Sequence, residues 1–204
     1  MSETEAGMPL REALAALRTG RRDTDVIVST MGPAREWIAL GPLHPLDFVL
    51  VPSAMGHATS LGLGLALARP ERRVIVLNGD GSMLMNLGSL VTITAEGPAN
   101  LVLILCDNGA YEVTGAQPTP GSGAGRTHGD ALDWAALARA AGFQSVFRFS
   151  ALADWISGMA GALEAGGPTF ILLTVPAVPG IGGPRSPGPA AQRARQFMKA
   201  LGDR

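Results

Sequence analysis

Apolar residues along the chain follow two patterns, short continuous runs and longer stretches with a helical repeat. The short runs are rich in β-branched residues and predict strands at Val26–Val28, Phe48–Val51, Arg73–Leu77, Leu101–Cys106, Ser145–Phe149 and Thr169–Val175. Apolar positions three or four residues apart predict helices at Pro9–Leu17, Pro33–Leu40, His57–Ala68, Met83–Ala95, Ala131–Ala141, Ala151–Ala165 and Ala190–Leu201. Two segments rich in glycine and proline interrupt the series, a long loop over Asn108–Gly129 and a crossing over Pro176–Pro189.

Strands that alternate with helices are typical of a parallel sheet with helices on both faces. The run Leu101–Cys106 is apolar without alternation, as expected for a strand that is covered on both sides. The pattern therefore predicts an α/β fold, with three α/β/α layers around a mostly parallel six-stranded sheet. For 204 residues we expect a single domain over residues 1–204, in which residues 176–204 form the crossing and a C-terminal helix.

Composition narrows the class of protein. Lys and Arg number 16 and Asp and Glu number 17, a net charge of −1 at pH 7, so no basic excess favours nucleic acid or an anionic membrane as a partner. The N-terminus lacks the apolar segment of a signal peptide, and no run approaches the roughly 20 residues of a membrane span, so we expect a cytoplasmic protein. The single cysteine, Cys106, cannot form an internal disulfide, and we expect it to be buried and inert.

Three loops that follow predicted strands are polar and rich in glycine, namely residues 52–56, 78–82 and 107–129. In a parallel sheet such loops meet at the carboxyl edge, where ligands bind. The turn at residues 78–82 suits a phosphate. Because Asp80 would repel a phosphate, a Mg²⁺ ion between them is one interpretation, and a helix cap is the other. Asn108, after the next strand, is either a second ligand or part of an Asx turn.

The order of these motifs resembles a known cofactor fingerprint. Gly79-Asp80-Gly81-Ser82, followed downstream by Asn108, is similar to the thiamine diphosphate fingerprint of Gly-Asp-Gly and a later Asn. Residues 53–60, 79–90 and 107–119 together resemble the β subunit of the sulfopyruvate and phosphonopyruvate decarboxylase family. The likeness extends from Val26 to about Val175, and it implies the thiamine diphosphate-binding fold with thiamine diphosphate and Mg²⁺ as cofactors.

The resemblance also implies roles for individual residues. Mg²⁺ would be held by the side chains of Asp80 and Asn108 and by the carbonyl of Ala110. Gly81 and Ser82 would donate hydrogen bonds to the diphosphate, and the Ser53 carbonyl would bind the aminopyrimidine together with the Met55 N–H. The full implied cofactor-binding set is Ser53, Met55, Gly79, Asp80, Gly81, Ser82, Asn108, Ala110 and Tyr111.

The two residues that the resemblance implies in catalysis are Met55 and His57. Met55 would lie under the bent cofactor and hold its amino group beside the reactive thiazolium carbon, whereas without the resemblance it is typical of a core methionine. His57 would face the substrate as a proton donor or an anion contact; the alternative is a polar residue at the start of a helix. Thr114 and Gln117 are further candidates for lining the site.

The resemblance implies a half-enzyme. The family's activating glutamate belongs to a pyrimidine-binding domain for which this chain has no room, and Glu112, near the predicted site, lies on the diphosphate side. We therefore expect a separate α subunit in an α2β2 or larger heteromer that decarboxylates a small 2-oxo acid. A carboligase of the acetolactate or acyloin type and a cofactor-binding subunit without turnover are the alternatives. His57 is typical of the phosphonopyruvate branch and Met85–Leu90 of the sulfopyruvate branch, so the substrate stays open.

Overall fold

Six parallel strands form the central sheet of this computed structural model, which describes residues 7–50, 55–178, 182 and 185–202. The strands in chain order are β1 (Val26–Thr30), β2 (Asp47–Leu50), β3 (Val74–Gly79), β4 (Leu101–Asp107), β5 (Ala110–Tyr111), β6 (Gln117–Pro118), β7 (Ser145–Phe149) and β8 (Thr169–Thr174). The order across the main sheet is β2-β1-β3-β4-β8-β7, with every neighbouring pair parallel. β5 and β6 pair separately as a short antiparallel ribbon.

Helices cover both faces of this sheet. They are α1 (Leu10–Gly20), α2 (Met31–Ala39), α3 (Ala58–Ala68), α4 (Asp80–Leu84), α5 (Ser89–Glu96), α6 (Trp134–Ala140), α7 (Leu152–Leu163) and α8 (Ala190–Leu201). Helices α1, α2 and α7 pack on one face, and α3, α5, α6 and α8 pack on the other. The predicted three-layer α/β/α fold is confirmed. No helix in the described residues has the length and apolar character needed to cross a membrane.

Two apolar cores lie on either side of the sheet because successive strand residues point to opposite faces. In β3, Ile75 and Leu77 join the core under α1, α2 and α7, whereas Val74 and Val76 join the core under α3 and α5. All four side chains are fully buried. The lack of alternation in these strands therefore reflects burial on both faces, as the sequence predicts.

Residues Met83–Ala95 are mostly helical, as predicted, but a turn at residues 85–88 divides the segment into α4 and α5. The Asn86 side chain donates to the Gly56 carbonyl (2.7 Å) and to the Ser60 hydroxyl (3.1 Å). A helical Asn86 would give up these bonds, which fasten the turn to the segment before α3. Gly88 then begins α5 as its N-cap residue.

The long loop predicted over Asn108–Gly129 contains more structure than its composition indicates. It begins with the β5–β6 ribbon and includes two short 3₁₀ turns, Glu112–Thr114 and Gly123–Gly125. The ribbon returns the chain toward the sheet, because the Thr119 N–H donates to the Gly109 carbonyl (2.8 Å). The first half of the loop is therefore held close to the carboxyl ends of the strands.

Ion pairs tie the opposite, amino edge of the sheet together. Arg73, just before β3, makes two bonds to Asp25, just before β1, from Nη2 to Oδ2 (2.6 Å) and from Nε to Oδ1 (3.1 Å). Arg73 also contacts Glu164 (2.6 Å), and Arg21 pairs with Asp47 at the start of β2. We call these contacts the amino-edge ion pairs.

Candidate functional site

The sheet topology creates a crevice at the carboxyl ends of β1 and β3. From β1 the chain moves to β2 at one edge, whereas from β3 it moves to β4 in the other direction. Such a reversal is the position at which open α/β sheets bind ligands. A cavity of about 280 Å³ lies there, between the start of α2 (residues 31–33) and the start of α4 (residues 79–82).

Asp80 is the first residue of α4, and its carboxylate is buried. It accepts a hydrogen bond from the Thr119 hydroxyl (3.0 Å) and further bonds from the backbone N–H groups of Gly81 and Asn108. Burial raises the pKa of Asp80 to about 7, and the neighbouring Asp107 carboxylate also raises it, whereas the three donors lower it. A cation bound beside this carboxylate would favour its charged form and lower the pKa.

Asn108 lies on the next strand tip and reaches the same cavity as Asp80. Its side-chain oxygen accepts from the Ala110 N–H (2.9 Å), and Asp107 accepts from the Gly109 N–H (3.2 Å). The Asx turn that the sequence offered as an alternative is therefore present. It does not exclude a metal, because an amide oxygen has a second lone pair. Burial also raises the pKa of Asp107, whose carboxylate accepts from the Trp134 side chain.

The remaining predicted cofactor residues also surround this cavity. Gly79, Gly81, Ser82, Ala110 and Tyr111 all line it. A Cβ at Gly79 would meet no atom within 4 Å, whereas one at Gly81 would lie 2.5 Å from the Tyr111 ring. Gly79 thus leaves open space beside the crevice, and Gly81 allows the ring to pack directly on the backbone of α4.

The two residues predicted to act in catalysis occupy different positions. Met55 lines the cavity and is 44% exposed, so it is not a core methionine. The Ser82 hydroxyl accepts from the N–H of Gly56, the next residue (2.9 Å), which holds this segment against α4. His57 is exposed at the N-cap of α3, makes no side-chain capping bond and does not line the described cavity. Ser53 lies outside the described residues.

Several lining residues were not predicted from the sequence. Residues 31–33 border the cavity from α2, and Met31 adopts a left-handed backbone conformation (φ 55°) that is uncommon outside glycine and gathers at functional sites. The Gly-Pro pair after a strand was the available signal. Glu112 and Val113 line the cavity beside Thr114, whereas Gln117 is exposed and bonds to Thr114 instead.

The oxygen atoms at this site fit Mg²⁺. Asp80, Asn108 and Ala110 all line one cavity. They carry a carboxylate, an amide oxygen and a backbone carbonyl, the kinds of ligand that Mg²⁺ prefers together with phosphate oxygens and water. Within the described residues, no group of three His, Cys, Asp or Glu side chains could hold a metal. A magnesium ion would therefore need ligands such as Asn108, a carbonyl and an anionic cofactor.

The cavity also fits a cofactor that combines a diphosphate with apolar rings. Two helices, α2 and α4, begin at its wall, and their N–H groups favour an anion. Apolar side chains, including Leu10, Met55 and Met85, form much of the rest of the wall. Cys106 lies at the end of β4 among them, as a free, buried thiol whose pKa is raised by burial; the expectation that it is buried is confirmed.

Comparison with known proteins agrees with this architecture. Residues 30–173 match the family model described as "Thiamine pyrophosphate enzyme, C-terminal TPP binding domain". Among solved structures, a thiamine diphosphate-dependent 4-hydroxybenzoylformate decarboxylase from Rhodococcus jostii RHA1 superposes with a TM-score of 0.68 at 23% identity, over 85% of this chain and 33% of that one. At that identity the likeness concerns the fold alone.

Two relatives differ in how much of their length this chain covers. A phosphonopyruvate decarboxylase of Streptomyces viridochromogenes is 39% identical over 180 residues, which are 87% of this chain and 43% of that protein. The sulfopyruvate decarboxylase subunit beta of Methanothermobacter thermautotrophicus is 42% identical over 163 residues, which are 79% of this chain and 78% of that protein. The chain thus spans about two fifths of the first relative and most of the second.

Proposed function

The chain belongs to the thiamine pyrophosphate enzymes, where it corresponds to their C-terminal TPP binding domain, and on that premise we propose that it is the β subunit of a thiamine diphosphate-dependent 2-oxo acid decarboxylase of the sulfopyruvate and phosphonopyruvate type. The observation that supports this most directly is the meeting of Asp80 and Asn108 at one cavity, on two adjacent strand tips. Both named relatives are decarboxylases of 2-oxo acids.

In this proposal the residues at the carboxyl edge bind the diphosphate through Mg²⁺. Asp80 and Asn108 are ligands through their side chains and Ala110 through its carbonyl. The N–H groups of Gly81 and Ser82, at the start of α4, donate to the diphosphate, because a helix N-terminus stabilises an anion. Gly79 and Tyr111 complete the wall around it.

The proposal gives Met55 a positioning role and His57 a role toward substrate. Thiamine diphosphate, when bound, supplies the electron sink for the pair released as CO₂ leaves a 2-oxo acid. Met55 would support the cofactor rings, and the bond from the Gly56 N–H to the Ser82 hydroxyl holds the adjacent backbone against α4. His57 is two residues further along, exposed at the start of α3, where it can reach a substrate held at an intersubunit site. Ser53 is proposed as the carbonyl contact to the aminopyrimidine.

A separate α subunit completes the site in this proposal. Two carboxylates of the described residues line the cavity, those of Asp80 and Glu112. Both already accept hydrogen bonds from this chain. The activating glutamate therefore comes from the partner, in an α2β2 or larger heteromer. Met55, Met85 and Val113 line the cavity and are 44%, 51% and 38% exposed, and clustered exposed apolar side chains favour a protein interface.

The metal assignment is tested by calorimetry of Mg²⁺-dependent thiamine diphosphate binding to the full chain. Asp80→Ala should abolish binding, because it removes the charged ligand. Asp154→Ala, on the exposed surface of α7, is the matched control and should bind like the wild type. Undiminished affinity in Asp80→Ala would rule out this residue as a metal ligand.

The reaction is tested with the chain reconstituted with a separately encoded pyrimidine-binding subunit. We expect CO₂ release from sulfopyruvate or phosphonopyruvate that requires both chains. Incubation with pyruvate and an aldehyde tests the carboligase alternative, in which a new carbon–carbon bond forms. Full turnover by this chain alone would contradict the half-enzyme proposal.

A further inference from the structure

Glu112 is a buried carboxylate at the wall of the cavity for which the proposed function has no use. Its side chain is 6% exposed. One oxygen, Oε2, accepts from Arg35 Nη2 (3.1 Å), and the other, Oε1, accepts from the Val178 N–H (3.0 Å). Both oxygens are therefore occupied by contacts to other parts of the chain, α2 and the segment after β8.

Arg35 links this carboxylate to a larger charge network. Its Nε donates to Glu36 (2.8 Å), and Glu36 also accepts from Arg11 on α1 (2.8 Å). Two guanidinium groups thus balance two carboxylates, Glu36 and Glu112. Arg35, Glu36 and Glu112 are largely buried, whereas Arg11 is 63% exposed. Because burying charges costs stability unless they are paired and hydrogen-bonded, the three buried members are held in a defined geometry.

The network joins the two sides of the crevice. Glu112 follows β5 (Ala110–Tyr111) directly, and β5 follows the turn that contains Asn108. Arg35 lies on α2, whose first turn borders the cavity on the other side. A Cβ at Gly32, in that first turn, would lie only 3.3 Å from Glu112 Oε2. The carboxylate is therefore packed against the backbone of α2 as well as bonded to its arginine.

The proposed metal-binding turn, residues 107–110, has a second anchor on its other side. The Thr119 hydroxyl donates to Asp80, and the Thr119 N–H donates to the Gly109 carbonyl. Thr119 holds the turn against α4, whereas Glu112 holds it against α2. Loss of the Glu112 anchor would leave Asn108 and Ala110 attached from one side only.

We propose that Glu112 is a positioning residue, which through its ion pair with Arg35 fixes the turn carrying Asn108 and Ala110 at the separation from α2 that Mg²⁺ and a diphosphate require. The inference rests on the proposed function. It concerns a residue that touches neither the metal nor the cofactor in that proposal and acts on them through the turn. Groups that orient metal ligands in this way commonly contribute strongly to metal affinity.

The test compares Mg²⁺-dependent thiamine diphosphate binding in the full chain by calorimetry. Glu112→Gln keeps an oxygen for the Val178 N–H but loses the charge pair with Arg35. We expect the affinity to fall about 10- to 100-fold. Glu164→Gln is the control, since Glu164 is a half-exposed carboxylate that pairs with Arg22 and Arg73 at the amino edge, away from the cavity. Its affinity should stay within about twofold, because exposed pairs contribute little.

Two further variants separate positioning from general loss of structure. Arg35→Lys keeps the charge but cannot serve both carboxylates, so it should weaken binding even if Glu112→Gln folds poorly. In the double variant Glu112→Gln/Arg35→Gln the affinity should be no lower than in Arg35→Gln alone, because each change breaks the same contact. Urea denaturation of each metal-free variant measures stability in parallel.

Distinct outcomes overturn the two proposals. The positioning role would be contradicted if Glu112→Gln bound with wild-type affinity, or if the loss of affinity in the double variant were the product of the two single losses. Neither result would contradict the proposed metal site. An affinity loss that matches the loss of unfolding free energy across all variants, the Glu164→Gln control included, would also contradict the positioning role. Binding that survives Asp80→Ala would overturn the proposed function and this inference with it.

Discussion

At the scale of single residues, the packing of the site depends on the absence of a side chain at Gly81. The Tyr111 ring occupies the place where a Cβ would lie. Gly81→Ala should therefore lower the free energy of unfolding by about 1–3 kcal/mol through overpacking, and should weaken cofactor binding because the ring must move. Urea denaturation and calorimetry measure the two effects.

Gly64 provides the control for this prediction. It lies in α3, where an added Cβ would meet no atom within 4 Å. Gly64→Ala should raise the free energy of unfolding by about 0.5–1 kcal/mol, because alanine loses less backbone entropy in a helix. Equal effects of the two substitutions would show that the contact with Tyr111 is unimportant.

The role proposed for Met55 is tested at the same scale. Met55→Ala should leave Mg²⁺-dependent binding of thiamine diphosphate largely intact. In the complex with the α subunit it should slow hydrogen–deuterium exchange at the reactive thiazolium carbon, since the support for the rings is lost. Met85→Ala is a matched control, because Met85 is also exposed and also lines the cavity. If exchange slowed more in Met85→Ala than in Met55→Ala, the cofactor rings would be supported by Met85 and the role proposed for Met55 would be wrong.

Residues of this site could be predicted where they belong to a contiguous motif. Asp80 and Asn108 each follow an apolar strand, and the edge at which parallel strands end brings them together. The contacts of Glu112 and the backbone conformation of Met31 gave no such signal. The contact from Glu112 to Arg35 spans 77 positions, and a left-handed backbone is uncommon at a methionine, so neither follows from a local pattern.

At the scale of elements, the short β5–β6 ribbon determines how the proposed metal-binding turn lies against α4. Thr119 directly follows β6 and is fully buried, and its hydroxyl donates to the Asp80 carboxylate. Thr119→Val keeps the shape but removes the donor, so a buried carboxylate loses a partner. We expect the free energy of unfolding at pH 8 to fall by about 1–3 kcal/mol.

An exposed threonine gives the comparison. The Thr92 hydroxyl bonds to the Gly88 carbonyl on the exposed face of α5 (3.4 Å), and Thr92→Val should change the free energy of unfolding by no more than about 0.5 kcal/mol. If urea denaturation gave the same value for both valine variants, the bond from Thr119 to Asp80 would contribute nothing.

The order and type of the main elements could be predicted, whereas one of their interruptions could not. The six strands and the helices between them follow from apolar runs and helical spacing. The break between α4 and α5 does not, because Asn86 leaves the helix for bonds to Gly56 and Ser60. A favourable local pattern was overruled by contacts 26 and 30 residues away.

At the scale of the whole molecule, the buried Asp80 couples stability to pH in the metal-free chain. Its pKa is raised by burial and by Asp107 from 3.8 to about 7, so the folded chain holds a proton that the unfolded chain has released. The free energy of unfolding should therefore fall as the pH rises from about 4 to about 7, by at most about 1.4 kcal/mol per pH unit.

Asp80→Asn isolates this contribution, because the amide cannot titrate. Its free energy of unfolding, from urea denaturation at several pH values, should show a smaller decline over the same range than that of the wild type. Parallel curves for the two chains would mean that Asp80 does not exchange a proton between the folded and unfolded states in this range.

The amino-edge ion pairs place a large share of the molecule's charged contacts at the end of the sheet opposite the cavity. Asp25, Asp47 and Arg73 bind strand beginnings to each other, and none of them lines the crevice. These pairs can therefore be varied without changing a residue that lines the crevice, whereas the pair of Arg35 with Glu112 cannot. The amino edge is accordingly the place to seek substitutions that raise heat stability with the least effect on ligand binding.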